Sequence, residues 1–247
     1  MSVPAAHRVL DLIELFAKRR RPMSLTAISR ELKLPSSSCH GLIRTLEERG
    51  YLVNLKDQGG YYLTKRLKHD VDLIFTFNPL PTWILPALEN IRDVADETVL
   101  LARMVGTNAV YVEVFESLQS IRYIAQVGDL RPLHASAAGK ALLGARDAAS
   151  REVLLGQLQL ERRNPNTIVD VERLQRDLAE SRERGWYSTL GEFLPDVSAI
   201  AVPIQVSNEI YSVVIAGPSE RMRQRWDVHV QLMQGLLQRA ELNHDAS

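Results

Sequence analysis

The sequence predicts an α+β protein, in which a small winged helix-turn-helix precedes a larger domain of sheet flanked by helices. Three observations carry that prediction. Residues 24–55 place apolar side chains at three- and four-residue spacing on either side of a Leu34-Pro35 break, the pattern of two short helices joined by a turn. Two later regions, 98–126 and 186–216, switch to β-branched and aromatic runs of period two. The charge is also divided along the chain. Residues 1–69 hold 13 Lys or Arg against 6 Asp or Glu, a balance of +7, and residues 70–247 hold 17 against 24, a balance of −7. A basic part attracts phosphate at long range, and an acidic part is repelled by it.

At 247 residues, 45% apolar and 24% charged, the chain is globular and long enough for two modest domains. No apolar run reaches the roughly 18 residues that span a bilayer, and the amino terminus lacks a signal peptide's pattern, so a cytoplasmic protein with no membrane partner is expected. The single cysteine, Cys39, excludes an internal disulfide or a thiolate cluster, and its place on an apolar helix face predicts core packing.

In chain order, Val9, Leu12, Ile13 and Phe16 form a helical stripe that packs behind the motif, and Lys18-Arg19-Arg20-Arg21 follows as a basic helix end suited either to backbone phosphate or to the helix dipole. Ser24 is placed to cap the next helix, with Ile28 and Leu32 on its apolar face. Pro35 then opens a second helix over Ser36, Ser37 and Ser38, whose hydroxyls can satisfy its first N–H groups or touch phosphate. Cys39, Leu42, Ile43 and Leu46 face inward, leaving Ser36, Ser37, His40, Gly41, Arg44 and Thr45 outward as a polar reading face. Tyr51-Leu52-Val53 and Tyr61-Tyr62-Leu63, joined by a polar turn with Lys56 and Asp57, make the wing.

Beyond the wing, Lys65 to Phe77 reads as a narrow amphipathic helix with Leu67, Val71 and Ile74 in one stripe, ended by Asn78-Pro79-Leu80-Pro81. The expected division is therefore a DNA-binding domain over 1–64, a linker helix over 65–80 that makes an inter-domain or dimer contact, and a second domain over 81–247. In that domain a helix is predicted from Trp83 to Ala95 and strands at Thr98–Val105, Ala109–Phe115 and Ile121–Gln126, in a meander. A helix of small residues follows at Ser136–Leu143, then helical stripes through Val153-Leu154-Leu158 and through Val171, Leu174 and Leu178 to Gly185. Trp186–Leu190, Ser198–Val206 and Ile210–Ala216 complete the strands, and after Gly217-Pro218 one long helix runs from Ser219 to Asn243.

PLHASAAGKALLG, RGWYSTLGEFLPDVSAIAVPI and AGPSER, taken with the winged motif, make the chain resemble the IclR family of bacterial transcriptional regulators over nearly its whole length. The resemblance implies a GAF-like second domain that binds a small-molecule effector, and homodimers or tetramers. It also aligns LPSSSCHGLIRTL with the family's recognition helix, which makes Ser37, Ser38, His40 and Arg44 the foremost candidates for DNA contact, beside Ser36, Gly41, Thr45 and the wing's Lys56 and Tyr61. Where the family commonly has Arg after His40, this chain has Gly41. Segments that line the pocket of a glyoxylate- and pyruvate-sensing member match Ser120, Tyr123, Arg131, Ala137, Ala138, Thr189, Val197, Ala199, Val214 and Ala216. That member's Asp, Cys and two Ser are replaced by Thr189, Ala199, Val214 and Ala216, so a larger, less polar ligand such as an aromatic acid is expected.

No phosphate loop, G-x-S-x-G elbow, H-E-x-x-H pair or dinucleotide turn occurs, and the six histidines have no ligand spacing, so neither an enzyme nor a metal or other cofactor is expected. His134, Lys140 and Glu192 are the nearest approach to a catalytic set, and His134 is better placed as a structural residue at a helix entry. The rival reading is a ligand-independent DNA binder whose second domain only oligomerises.

Overall fold

The computed structural model describes residues 3–74, 80–206 and 208–244. The chain divides into two compact units, Met1–Pro79 and Leu80–Ser247.

The first unit holds α1 (Pro4–Arg19), α2 (Leu25–Glu31), α3 (Ser36–Glu48), the hairpin β1 (Leu52–Leu55) and β2 (Gly60–Leu63), and α4 (Lys65–Ile74). Its core is Leu12, Leu15 and Phe16 from α1, Ile28 from α2, Cys39 and Ile43 from α3, and Met23 and Leu52. Ser24 caps α2 by accepting from the Ala27 N–H. The three serines do not cap α3: its N-cap is Pro35 and no side chain accepts there, so their hydroxyls stay available. The wing is fastened to the helices through backbone. Met23 and Tyr61 exchange both N–H···O bonds (3.0 and 2.8 Å) beside Gly60, whose φ of +127° and contact with the Met23 carbonyl leave no room for a Cβ. Tyr51 donates its hydroxyl to Asp70 on α4 (2.6 Å) and stacks under Arg66, which ties α4 to this unit. Val71, Leu73 and Ile74 are exposed within it. Residues 75–79 of the expected linker helix lie outside the described residues.

The second unit is built on a six-stranded antiparallel sheet. Its strands are β3 (Thr98–Val105), β4 (Asn108–Phe115), β5 (Leu130–Pro132), β6 (Tyr187–Leu190), β7 (Val197–Val206) and β8 (Glu209–Pro218), in the order β5-β4-β3-β8-β7-β6. Two meanders, β3–β4–β5 and β6–β7–β8, therefore join through the β3–β8 pairing. Alternation along β3 sends Leu100 and Ala102 to one core and Val99 and Leu101 to the other. On the first face lie α6 (Ala137–Gly144), α7 (Ala148–Gln157) and α8 (Val171–Arg184), and on the second α5 (Ile84–Ala95), α9 (Ser219–Gln224) and α10 (Trp226–His244).

Four expectations are corrected here. Residues 121–126 are not a strand: the Tyr123 carbonyl accepts from the Thr98 hydroxyl (2.6 Å) and the Ile121 carbonyl from Arg221 (2.9 Å), so side chains take the place of a neighbouring strand. The third strand of that meander is the three-residue β5 instead. Gly217-Pro218 does not end β8, which pairs through it with Val197 and Ser198. The final helix is broken at Arg225, whose guanidinium leaves the helix line to bond the Val94 and Ala95 carbonyls at the end of α5 (2.8 and 2.9 Å). In α7 the buried residue is Leu155, and Val153 is exposed.

Gly139 sets the depth of α6. A Cβ on it would overlap the backbone of Leu133, so the helix packs directly on the chain leading into it. Gly139→Ala is expected to destabilise the second unit by about 1–3 kcal/mol. Urea unfolding followed by far-UV circular dichroism measures this, and an unchanged midpoint would show that α6 has slack the packing denies.

Candidate functional site

The outward face of α3 matches its sequence pattern. Ser36, Ser37, His40, Gly41, Arg44 and Thr45 are exposed, Ser38 is half-buried, and Cys39 and Ile43 point into the core. Arg44 extends from the helix surface, with its Nε bonded to Glu48 Oε1 at 2.7 Å, one turn on. That carboxylate raises the pKa of the guanidinium above its usual value. Thr45 is less free than its exposure suggests, because its hydroxyl donates to the Gly41 carbonyl (2.9 Å). A Cβ on Gly41 would meet nothing, so the face is open at that position. In the wing, Lys56 is exposed on the turn, while Tyr61 is half-buried against the core and bridged to Met23. Of the basic run ending α1, Arg19 is held by both oxygens of Glu31 (2.7 and 2.8 Å).

In the second unit, nine of the ten residues expected around a ligand surround one cavity of about 30 Å3: Tyr123, Arg131, Ala137, Ala138, Thr189, Val197, Ala199, Val214 and Ala216. Ser120 lies elsewhere, exposed on the loop after β4. The wall is completed by Tyr111, Ser136, Phe193 and Leu194, which the sequence reading missed. Period two on β4 places Tyr111 on the same face as Ala109, and that was the available signal for it. Phe193 and Leu194 sit in the β6–β7 connection, where no periodicity points.

Each wall residue is there for a reason of pairing. Thr189 stands opposite Ala199, and Ala199 opposite Ala216, so three adjacent strands present small side chains in one row. The α6 start lies across from them, where Ser136 accepts from the Gly139 N–H (3.1 Å) and leaves Ala137 and Ala138 as the only side chains at the helix tip. A cavity of this size holds about one or two waters and no aromatic ring. Its occupation by a metabolite therefore requires outward movement of the wall.

Arg131 is the one cation of that wall. Its guanidinium lies 5.2 Å from the Tyr111 ring centre and 5.0 Å from that of Phe193. Its nitrogens donate to the Tyr123 hydroxyl (3.1 Å), the Leu130 carbonyl (2.9 Å) and Asp129 (2.9 Å). Burial works against its charge, but the phenol oxygens of Tyr123 and Tyr111 and the Asp129 carboxylate outweigh it and hold its pKa above the usual value. Burial pushes the Tyr111 hydroxyl well above the ordinary phenol range, so it stays protonated.

One turn behind the cavity wall, Lys140 is fully buried, with Nζ 2.7 Å from Glu192, 3.0 Å from Asp177 and 3.3 Å from the Ser188 carbonyl. His134, the third member of the nearest catalytic set, is not among these contacts. Its Nε2 meets the Glu161 carbonyl at 3.1 Å, and burial lowers its pKa. Among the described residues no group of three or more potential ligands could hold a metal, and no helix is long and apolar enough to cross a membrane.

A basic winged helix-turn-helix followed by a sheet-and-helix unit enclosing a small cavity is the arrangement of a DNA-binding regulator with its own sensor. Comparison with known proteins gives the family. The IclR helix-turn-helix domain matches residues 5–55, and the C-terminal domain of the bacterial transcriptional regulator IclR matches residues 78–241. The chain belongs to the IclR family of bacterial transcriptional regulators, with an N-terminal DNA-binding domain and a C-terminal effector-binding domain. The probable transcriptional regulator SauR of Cupriavidus necator is 28% identical, over 88% of this chain and 87% of its own length. The regulator XynR of Escherichia coli is 28% identical over 82% and 80%. Among solved structures, the Thermotoga maritima IclR superposes with a TM-score of 0.76 over 95% of this chain and 98% of its own at 23% identity. An IclR homologue of Microbacterium hydrocarbonoxydans complexed with 4-hydroxybenzoate superposes with a TM-score of 0.74 over 98% and 100% at 25% identity. The ligand-independent rival is not favoured by these relatives.

Burial raises the Glu192 pKa, and neighbouring Lys140 only partly opposes it. A carboxyl whose folded pKa exceeds its unfolded one binds more protons in the folded state, so its contribution to stability declines as pH rises from the unfolded value through the folded one. Glu192→Gln should flatten that part of the stability–pH profile above about pH 4.3. Chemical denaturation of the two proteins at a series of pH values measures it, and parallel profiles would contradict the assignment.

Proposed function

We propose that this regulator reads an approximately palindromic operator with α3 of two copies and responds to an aromatic carboxylic acid in the second unit. It acts in the cytoplasm, on double-stranded DNA, and without catalysis. On the DNA side, Arg44 and His40 are the base-reading candidates, Ser36, Ser37 and Ser38 approach phosphate, and Lys56 follows the backbone from the wing. Gly41 leaves open space where an additional contact could have stood, which concentrates sequence reading on Arg44.

The observation that carries the ligand reading is Arg131 on β5, set against the rings of Tyr111 and Phe193 in a cavity wall it shares with the start of α6. An aromatic ring finds stacking partners there, and a carboxylate finds a guanidinium and a helix N-terminus. The guanidinium is already paired with Asp129, so the entering carboxylate takes over that pairing, one negative charge replacing another. The 4-hydroxybenzoate complex of the Microbacterium hydrocarbonoxydans homologue supports the class of ligand. Making room moves Phe193 or Leu194, and the ligand thereby favours a different wall conformation from the empty protein. A difference in affinity between two conformations is what lets a ligand alter a distant DNA contact.

Two measurements check this. Titration calorimetry of the full chain against hydroxybenzoates, benzoate and glyoxylate should rank an aromatic acid first, with Arg131→Ala weakening it by about tenfold or more. Tighter binding of glyoxylate than of any aromatic acid would sink the ligand class while leaving the regulator reading intact. Fluorescence anisotropy on DNA flanking the gene should show that Arg44→Ala loses about 1–3 kcal/mol of discrimination at one base pair. Uniform weakening on all sequences would instead make Arg44 a phosphate contact.

A further inference from the structure

Residues 191–197, which join β6 to β7, form a short loop at the cavity, and most of that loop is pinned. The Gly191 N–H donates to the Val197 carbonyl (3.0 Å) and the Val197 N–H to the Leu194 carbonyl (3.1 Å), so the loop closes on itself. Gly191 has a φ of +70°, and a Cβ on it would overlap the Pro195 carbonyl. Glu192 is fixed by its side chain on Lys140 and by its carbonyl on Asn164 and Thr167. Phe193 is held differently. Its half-buried ring lines the cavity and rests against two guanidinium groups, Arg131 at 5.0 Å and Arg163 at 5.9 Å from the ring centre. Leu194, Pro195 and Asp196 beyond it are exposed, so a rotation about its own side-chain bonds can carry the ring toward solvent while the pinned backbone stays in place.

The cavity holds no ring at about 30 Å3, yet its lining suits one: small apolar side chains on one side and the Arg131 cation on the other. The phenyl group of Phe193 takes up the missing space. An aromatic ring over a guanidinium is the contact that an aromatic ligand would itself make there. Arg163 reaches the same ring although it already has a partner in Glu161 (2.9 Å).

We propose that Phe193 is a built-in stand-in for the ring of the ligand: its phenyl group occupies the ring position in the empty protein, and an aromatic acid binds by displacing it. This rests on the aromatic-acid reading of the cavity and narrows it. Toward the two cations the phenyl group and the ligand ring are equivalent, but only the ligand brings a carboxylate to Arg131, and that difference drives the exchange. The space exchanged is that of one six-membered ring. Monocyclic acids therefore fit and fused bicyclic acids do not, which makes Phe193 a specificity-determining residue that also opposes the ligand it selects.

Titration calorimetry of the full chain with 4-hydroxybenzoate, comparing wild type with Phe193→Ala and Phe193→Leu, tests the exchange. Loss of a mere wall residue weakens binding, whereas loss of a competitor strengthens it, by about tenfold in Phe193→Ala and less in Phe193→Leu, which still fills part of the space. Naphthoate should bind the wild type about tenfold more weakly than 4-hydroxybenzoate or not at all. In wild-type protein labelled with para-fluorophenylalanine, the fluorine resonance absent from Phe193→Leu identifies Phe193, and it should move toward the position of a solvent-exposed ring as 4-hydroxybenzoate saturates. Weaker binding in both variants, a Phe193 resonance unmoved at saturation, or naphthoate bound as tightly as 4-hydroxybenzoate would overturn the proposal and leave the aromatic-acid reading standing. Failure of any aromatic acid to bind any of these proteins would sink that reading, and the stand-in role with it.

Discussion

The sensor unit depends on one positive charge kept away from water. Lys140 is wholly buried, and three elements converge to make that tolerable: Asp177 comes from α8, the Ser188 carbonyl from β6, and Glu192 from the β6–β7 connection. An unpaired ammonium in such a place would cost several kcal/mol, so none of the three can drift without exposing the others to that cost. The same helix turn carries Ala137 and Ala138 at the cavity, and the residue after Glu192 is Phe193. Two walls of the cavity are thus positioned from behind by a single ion cluster. Glu192 is further fixed through its backbone, whose carbonyl accepts from Asn164 (2.9 Å) and Thr167 (2.7 Å).

A second buried charge does comparable work beside the start of β3. Glu97 is 1% exposed and is gripped by both ends of the Arg221 guanidinium, which also reaches the Ile121 carbonyl. That contact holds the irregular segment 117–129 against α9, and Tyr123 reaches the cavity without a strand ladder. Strands and α6 form most of the cavity wall, and the two loops that complete it are each fixed by a buried ion pair in addition to the apolar packing of residues such as Tyr123 and Ala125. Such anchors break more sharply than apolar contacts, because a displaced charge loses its partner at once.

Much of this was legible from residue order. The winged motif was, since its caps, proline and inward positions are local: Ser24, Pro35, Cys39 and Ile43 stand where their spacing put them. The small row of Thr189, Ala199 and Ala216 was reached through family resemblance, and strand pairing explains why those three meet. What escaped reading depends on distant side chains replacing backbone partners. Residues 121–126 have strand composition, but Thr98 and Arg221 satisfy their carbonyls, and no local pattern encodes that. The break at Arg225 lacks Gly or Pro because its cause is the open end of α5, 130 residues earlier. Ser120 lies outside the cavity for a related reason: family resemblance places it near Tyr123, but it is exposed on the irregular loop.

The two arginines given functional roles share a physical design. Arg44 is held by Glu48 and Arg131 by Asp129, so each guanidinium is already oriented and each is assigned a target carrying acceptor oxygens. Their burial differs, and that sets what each exchange can accomplish. The Arg44 pair is exposed, and pairs of that kind contribute little, so leaving Glu48 for a base edge costs little and the gain goes almost entirely to DNA recognition. The Arg131 side chain is 14% exposed, between two rings, and cannot give up Asp129 without another anion to replace it. A neutral aromatic would move the wall to make room but would leave that pair intact. In the proposed site an aromatic carboxylate would break it and release Asp129, which also accepts from the Gln126 N–H in the turn that leads into β5. On the proposed reading, the charge requirement at Arg131 would couple the ligand to the Gln126–Asp129 turn, in addition to the wall movement that any occupant needs.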